Sequence, residues 1–278
     1  MNDQLWKVYD DVADVYDSTG VEFFTPLGRR LVEQAAVRPG ERVLDVGCGR
    51  GAVLFAAAEA AGPSGEVVGI DRAPGMIREL SAEIARRGLT GAGAVVMDGR
   101  DPGFPPASFD VITASMSIAL VGDHPGTFAN YARLLKENGR VAFAVPGKLT
   151  DDNALSFFQR QMAKFAAVED DATSTADALD AADEATSLAG HLRDAGFGDP
   201  LVVEDDIPLV AATSEEFVRW TRTQGLKLFW DMVPADAREA LERALSAELE
   251  RHRDTDGVIR LSNPVCYVLA SLNARREG

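Results

Sequence analysis

The sequence predicts an α/β protein built on a mostly parallel, doubly wound sheet. Three observations predict it. Between residues 42 and 145, short β-like runs alternate with helical stretches over short links, the pattern of β-α-β units. The first run, Val43-Leu44-Asp45-Val46, reads as a buried strand that enters a glycine turn and then a helix. With 278 residues and 46% hydrophobic side chains, the chain is large enough to bury the core such a sheet needs, in one large domain or two small ones. Right-handed crossovers then place helices on both faces.

Trp6, Tyr9, Ala13 and Tyr16 fall near one face of a helix. A second stripe, Leu27, Leu31, Val32 and Ala35, predicts another, stopped by Pro39-Gly40. Strands are expected at 42–46, 66–70, 94–97, 109–114 and 140–145, and helices at 52–61, 75–87 and 127–136. Gly62-Pro63, Gly88 and Asn138-Gly139 are their stops. From 148 to 183 the composition shifts to Ala, Asp, Thr and Ser. Leu155, Phe158, Met162 and Phe165 mark a helix over 153–167, and Glu169-Asp170-Asp171 reads as a solvated loop. Alternation resumes with a helix at 186–195 and a strand over 201–210. Thr213-x-x-Glu216 is a capping box, opening a helix that carries Phe217, Trp220, Leu226, Phe229 and Trp230. Pro234 suits a first helical position before a charged helix over 235–252. Strands at 258–261 and 265–269 are split by Asn263-Pro264.

The 44 acidic and 28 basic side chains give a net charge of -16. Nucleic-acid binders need clustered Lys and Arg, and here the longest basic clusters are pairs such as Arg86-Arg87. The same charge opposes docking on anionic membranes. Cys48 and Cys266 make no disulfide framework, and no apolar run is long enough to span a bilayer. The N-terminus has acids where a signal peptide has its basic region. A cytoplasmic protein is expected.

The strongest motif is Asp45-Val46-Gly47-Cys48-Gly49-Arg50-Gly51. Glycines there allow a tight turn and let backbone N–H groups approach a ligand. Gly47-x-Gly49-x-x-Ala52 formally fits a dinucleotide fingerprint, and Asp71 lies 20 residues after Gly51, so an NAD reading is admissible on spacing. Against it, Asp45 places a charge where a pyrophosphate would be repelled. A third acid, Asp98, ends the next strand, and no Tyr-x-x-x-Lys pair exists. Asp45, Asp71 and Asp98 thus line one edge of the sheet. They suit a ligand with a cationic end, a ribose diol and an exocyclic amine, and S-adenosylmethionine has all three. Asp45 and the turn would hold the amino-acid end, Asp71 the ribose hydroxyls, and Asp98 the adenine amine.

The chain resembles the class I S-adenosylmethionine-dependent methyltransferases. The resemblance rests on Leu44 to Gly51, Val68-Gly69-Ile70-Asp71, Met97-Asp98-Gly99, Phe109-Asp110-Val111-Ile112 and Leu134 to Arg140. Within the family it is similar to the ubiquinone and menaquinone C-methyltransferase branch and to bacterial small-molecule methyltransferases. The resemblance implies a seven-stranded Rossmann-like sheet. It implies that Gly47, Cys48, Gly49 and Gly51 lie against the methionine end and ribose, with Arg72 and Met76 flanking the adenine and Gly99 beside Asp98. Ser115 would lie under the sulfonium, with Tyr16 and Tyr9 closing over the cofactor. Ala114-Ser115-Met116-Ser117 lacks the Asn/Asp-Pro-Pro-Tyr/Phe signature of enzymes that methylate nucleic-acid amines.

The parts expected are therefore an N-terminal helical lid at 1–38, a cofactor-binding Rossmann-like core at 39–147, a helical cap insert at 148–185, and the rest of the sheet with substrate-side helices at 186–278. The acceptor is expected to be a small, apolar or aromatic metabolite, methylated on O, N or C. Tyr9, Met116, Phe158, Trp220, Phe229 and Trp230 are the candidate pocket residues. No catalytic group stands out; His124, after the fourth strand, is the nearest candidate base. His191 and His252 read as surface residues. No metal is expected, and a homodimer is among the open oligomeric states. A protein or RNA methyltransferase, and a protein that binds the cofactor without methyl transfer as a cage or sensor, stay open as alternatives.

Overall fold

The computed structural model describes residues 6–148, 153–165 and 181–273. Its centre is a seven-stranded sheet of order β3-β2-β1-β4-β5-β9-β6. The strands are β1 (Arg42–Val46), β2 (Glu66–Asp71), β3 (Ala92–Val96), β4 (Phe109–Ser115), β5 (Leu135–Pro146), β6 (Leu201–Asp206) and β9 (Pro264–Ser271). The first five run parallel; β9 inserts antiparallel between β5 and β6. A short hairpin-like pair, β7 (Leu209–Ala211) and β8 (Ile259–Leu261), stands apart.

Helices α1 (Trp6–Asp11) and α2 (Phe24–Gln34) precede the sheet. Next come α3 (Ala52–Ala61), α4 (Pro74–Arg87), α5 (Ile118–Val121) and α6 (His124–Leu134). Then α7 (Ala154–Ala163), α8 (Ala181–Asp194), α9 (Ser214–Trp220), α10 (Lys227–Asp231) and α11 (Arg238–Leu249) complete the described set. Pro74 starts α4 where its missing N–H is no loss, and Gly88 ends it in the left-handed region. One core packs Leu27, Leu54, Leu80 and Phe217 on one face of the sheet. The other packs Leu44, Ile112, Phe128 and Phe143 on the opposite face.

Several expected boundaries move. The expected first helix stops at Asp11; Ala13 and Tyr16 still pack beside Tyr9 and Met76 from a turn. The run 201–210 breaks into β6 and β7 at Ile207-Pro208, because proline cannot donate to a ladder. The Ile207 N–H instead bonds the Asn263 carbonyl. The helix begun at the Thr213 capping box ends at Trp220, and α10 is a separate piece. Pro234 precedes α11 by four residues rather than opening it. The helix over 127–136 becomes α6, and Leu135 already belongs to β5. The Glu169-Asp170-Asp171 run lies outside the described residues.

Candidate active site

The sheet order reverses between β1 and β4, and open α/β sheets bind ligands at the carboxyl ends of strands flanking such a point. A cavity of about 480 Å³ opens there. The turn after β1 is tied to β2, since the Gly47 and Cys48 N–H groups both donate to the Ile70 carbonyl. Gly47 has φ +67°, and a Cβ on it would sit 2.4 Å from Ser117 Cβ, so only glycine fits. Gly49 has φ +50°, but a Cβ there would meet nothing within 4 Å. The space beside it is the cavity itself.

Asp45 is 1% exposed. Its Oδ1 accepts from Thr113 Oγ1 at 3.1 Å, while Oδ2 has no partner among the described residues. Burial pushes Asp45 up to about 7, against the Thr113 hydrogen bond and with the Asp71 charge adding to the rise. Asp71 accepts from the Gly49 N–H at 3.0 Å and the Ala73 N–H at 2.9 Å, so it holds the turn as well as facing the cavity. Burial raises its pKa, and those backbone bonds oppose the rise. Asp98 is one-third exposed and gripped by Arg100 through Nε at 3.1 Å and Nη2 at 2.6 Å. Burial disfavours its charge, but the Arg100 bonds prevail and hold it below the ordinary range. Asp45 and Asp71, both largely buried, with Asp45 Oδ2 unpartnered among the described residues, make this end of the cavity rich in acceptors. It fits a cationic ligand end and hydroxyl donors.

The structure brings most expected residues into this cavity: Asp45, Gly47, Cys48, Gly49, Asp71, Arg72, Met76, Asp98, Gly99, Ser115 and Tyr16. Tyr9, Met116, Phe158 and Trp220 join them. Cys48 is a buried thiol whose pKa is driven well up by burial and then by the neighbouring acids, so it is a small packing residue rather than a nucleophile. Gly51 is off the cavity wall: it precedes α3, and a Cβ there would press on Leu80 and Phe55. Phe229 and Trp230 are also outside, because the chain turns between α9 and α10. Trp230 is core, its Nε1 donating to Thr221 Oγ1 at 2.8 Å under the Arg222 guanidinium. His124 is not on the cavity wall either. It stacks on Phe128, lies 5.6 Å from the His191 ring and has its Nε2 on the Ile118 carbonyl. Burial lowers its pKa, against the Ile118 hydrogen bond, in keeping with a packing position. His191 and His252 are half-buried rather than surface residues, His252 edge-on to Phe157.

Sequence reasoning missed Asp17, Arg50, Ser117, Asn153 and Gln224, all on the wall. Arg50 donates to the Ala13 carbonyl at 2.6 Å, and Asp10 accepts from the Gly75 N–H at 2.5 Å. These two bonds latch the N-terminal segment across the turn. No motif announces them, because they join segments far apart in the chain. Tyr9, Tyr16, Phe24 and Trp220 then form a chain of ring contacts from that segment to α9.

The methyltransferase domain family matches residues 38–196. Nocamycin O-methyltransferase of Saccharothrix syringae is 42% identical over 276 residues, 95% of this chain and 97% of that protein. Aklanonic acid methyltransferase DauC of Streptomyces sp. (strain C5) is 50% identical over 143 residues, 51% of this chain and 65% of that one. Among solved structures, the YcgJ protein from Bacillus subtilis superposes with a TM-score of 0.56 at 18% identity, covering 90% of this chain and 97% of that one, which speaks to the fold. The family match and these relatives show it: the chain belongs to the methyltransferase domain family and is an S-adenosylmethionine-dependent methyltransferase.

Proposed function

We propose that the protein methylates an oxygen atom of a small, largely apolar or aromatic metabolite. The observation that carries this is one continuous cavity, running from Asp45 and Asp71 to an aromatic wall of Phe23, Phe24, Phe158 and Trp220. The nocamycin O-methyltransferase likeness supports oxygen as the methylated atom. We read 1–38 as the lid, 39–147 as the cofactor core, 148–185 as the cap and 186–278 as the rest of the sheet with the substrate-side helices. No helix of the described residues is long and apolar enough to cross a membrane. The acidic surface supports a cytoplasmic enzyme that engages neither nucleic acid nor membrane. The ring-lined wall suits a small acceptor better than a protein or RNA.

S-adenosylmethionine, when bound, supplies an electrophilic methyl group on a sulfonium. Asp45 Oδ2 and the Gly49 turn would hold its amino-acid end, Asp71 its ribose and Asp98 its adenine edge. The chain contributes alignment and a dry wall, the main requirements of an in-line displacement. None of the described residues lining the cavity is a histidine. His124→Ala is therefore expected to leave kcat within about twofold, since it removes only packing. A loss of a hundredfold or more in steady-state assay, about 2.7 kcal/mol, would restore it as the base.

The pH dependence follows from Asp45. Its raised pKa means that the ligand-free fold gains stability from protonated Asp45, and loses that gain as pH rises through about 7. An ammonium reverses the sign, because it binds the carboxylate. Affinity for S-adenosylmethionine is expected to rise about tenfold per pH unit from 5 towards 7, then level off. Asp45→Asn should flatten that slope in calorimetry; an unchanged slope would detach Asp45 from the ammonium.

The reaction is tested by incubating the enzyme with S-adenosylmethionine and a panel of aromatic and polyketide-type hydroxy compounds. The expected result is gain of one CH2 on oxygen by mass spectrometry, with equimolar S-adenosylhomocysteine. Methylation confined to nitrogen or carbon would contradict the reading.

A further inference from the structure

Beyond the cofactor, the cavity wall near the ends of β5 and α9 holds three buried nitrogen atoms with no partner among the described residues. They are Asn153 Nδ2, Trp220 Nε1 and Gln224 Nε2. All three side chains are at most 9% exposed, and all three residues line the cavity. The two amides are fixed end for end. Asn153 Oδ1 accepts from the Ser156 N–H at 2.9 Å, capping α7. Gln224 Oε1 accepts from the Leu226 N–H at 3.2 Å. Each oxygen is held by the backbone, so each nitrogen is the end left over.

Buried donors without partners are costly and rare, and each calls for an explanation. Three on one cavity, beside Phe158 and Leu209, share one explanation: a ligand supplies the acceptors. We propose that Asn153, Trp220 and Gln224 are specificity residues that bind carbonyl oxygens of the acceptor. The substrate is then a ketone-bearing aromatic or polyketide-like compound, not a hydrocarbon or an amine. A hydrocarbon leaves the three N–H groups unpaired, and a protonated amine sets donor against donor. This rests on the reading that this half of the cavity holds the acceptor.

Equilibrium dialysis of the full chain, saturated with S-adenosylhomocysteine at pH 8, tests it. The probes are 9-fluorenone and fluorene, which share a tricyclic skeleton and differ at one carbonyl. Fluorenone is expected to bind about tenfold more tightly. The triple variant Asn153→Asp, Trp220→Phe, Gln224→Glu keeps both backbone-held oxygens and the aromatic ring while removing the donors. Its preference should fall to within about twofold, with S-adenosylhomocysteine affinity retained as the sign of a folded site. Equal retention of the two probes by the wild type, including retention of neither, overturns the proposal. So does an undiminished preference in a variant that still binds S-adenosylhomocysteine. Failure of the wild type to bind S-adenosylhomocysteine would overturn the cofactor reading beneath it instead.

Discussion

Gly49→Val is expected to remove S-adenosylmethionine binding to below detection in a protein that still folds. The glycine lies at φ +50°, where a β-branched residue is strained by about 1–2 kcal/mol, a cost the domain can carry. Nothing within 4 Å opposes its Cβ, so the fold has room for the side chain. That room is the cavity, and the isopropyl group would occupy it. Gly47→Ala separates the two effects. Its Cβ would meet Ser117 Cβ at 2.4 Å, and Ser117 is pinned by its bond to the Val46 carbonyl. Here the expected loss is stability, about 1–3 kcal/mol. Thermal melts with calorimetry distinguish the pair. A Gly49→Val protein that binds normally would show that the turn is not the cradle.

Asp71→Ala is expected to weaken S-adenosylmethionine binding by about 1–3 kcal/mol, or about 5- to 150-fold. The structure gives the residue two tasks. Its oxygens accept from the Gly49 and Ala73 N–H groups, which sets the shape of the turn, and each retains capacity for a ribose hydroxyl. Truncation removes both the ligand contact and the tether on Gly49. Asp71→Asn keeps an acceptor for one N–H and should recover part of the loss. Unchanged affinity in Asp71→Ala would sink the ribose assignment.

The core of the fold was legible because its signals are local. Strand Arg42–Val46 is a short run rich in valine and leucine, helix Ala52–Ala61 is rich in alanine between glycines, and the Thr213–Glu216 capping box forms as read. The acids at strand ends were legible because a parallel sheet puts all carboxyl ends on one edge. The acceptor side was not. Whether Trp220 or Trp230 faces the cavity depends on where the helix breaks, and a helical stripe cannot show a break that tertiary packing imposes. Arg50 sits within the glycine motif, but its partner, the Ala13 carbonyl, lies 37 residues away and is set by the finished fold. Asn153 and Gln224 bond backbone N–H groups only three and two residues on, and such local bonds do not show that their nitrogens belong to the cavity wall. His124 was drawn in by chain proximity to the fourth strand, but α6 turns it onto Phe128. Asp98 was read as an open acceptor, and its clamp by Arg100 two residues later is a rotamer choice that spacing does not reveal.

The most direct test of the account is calorimetric titration of the protein with S-adenosylmethionine, S-adenosylhomocysteine and NADH. The account predicts micromolar binding of the first two and none of NADH. Binding of NADH alone would contradict it, and the Gly47-x-Gly49-x-x-Ala52 spacing would then outweigh the three acids.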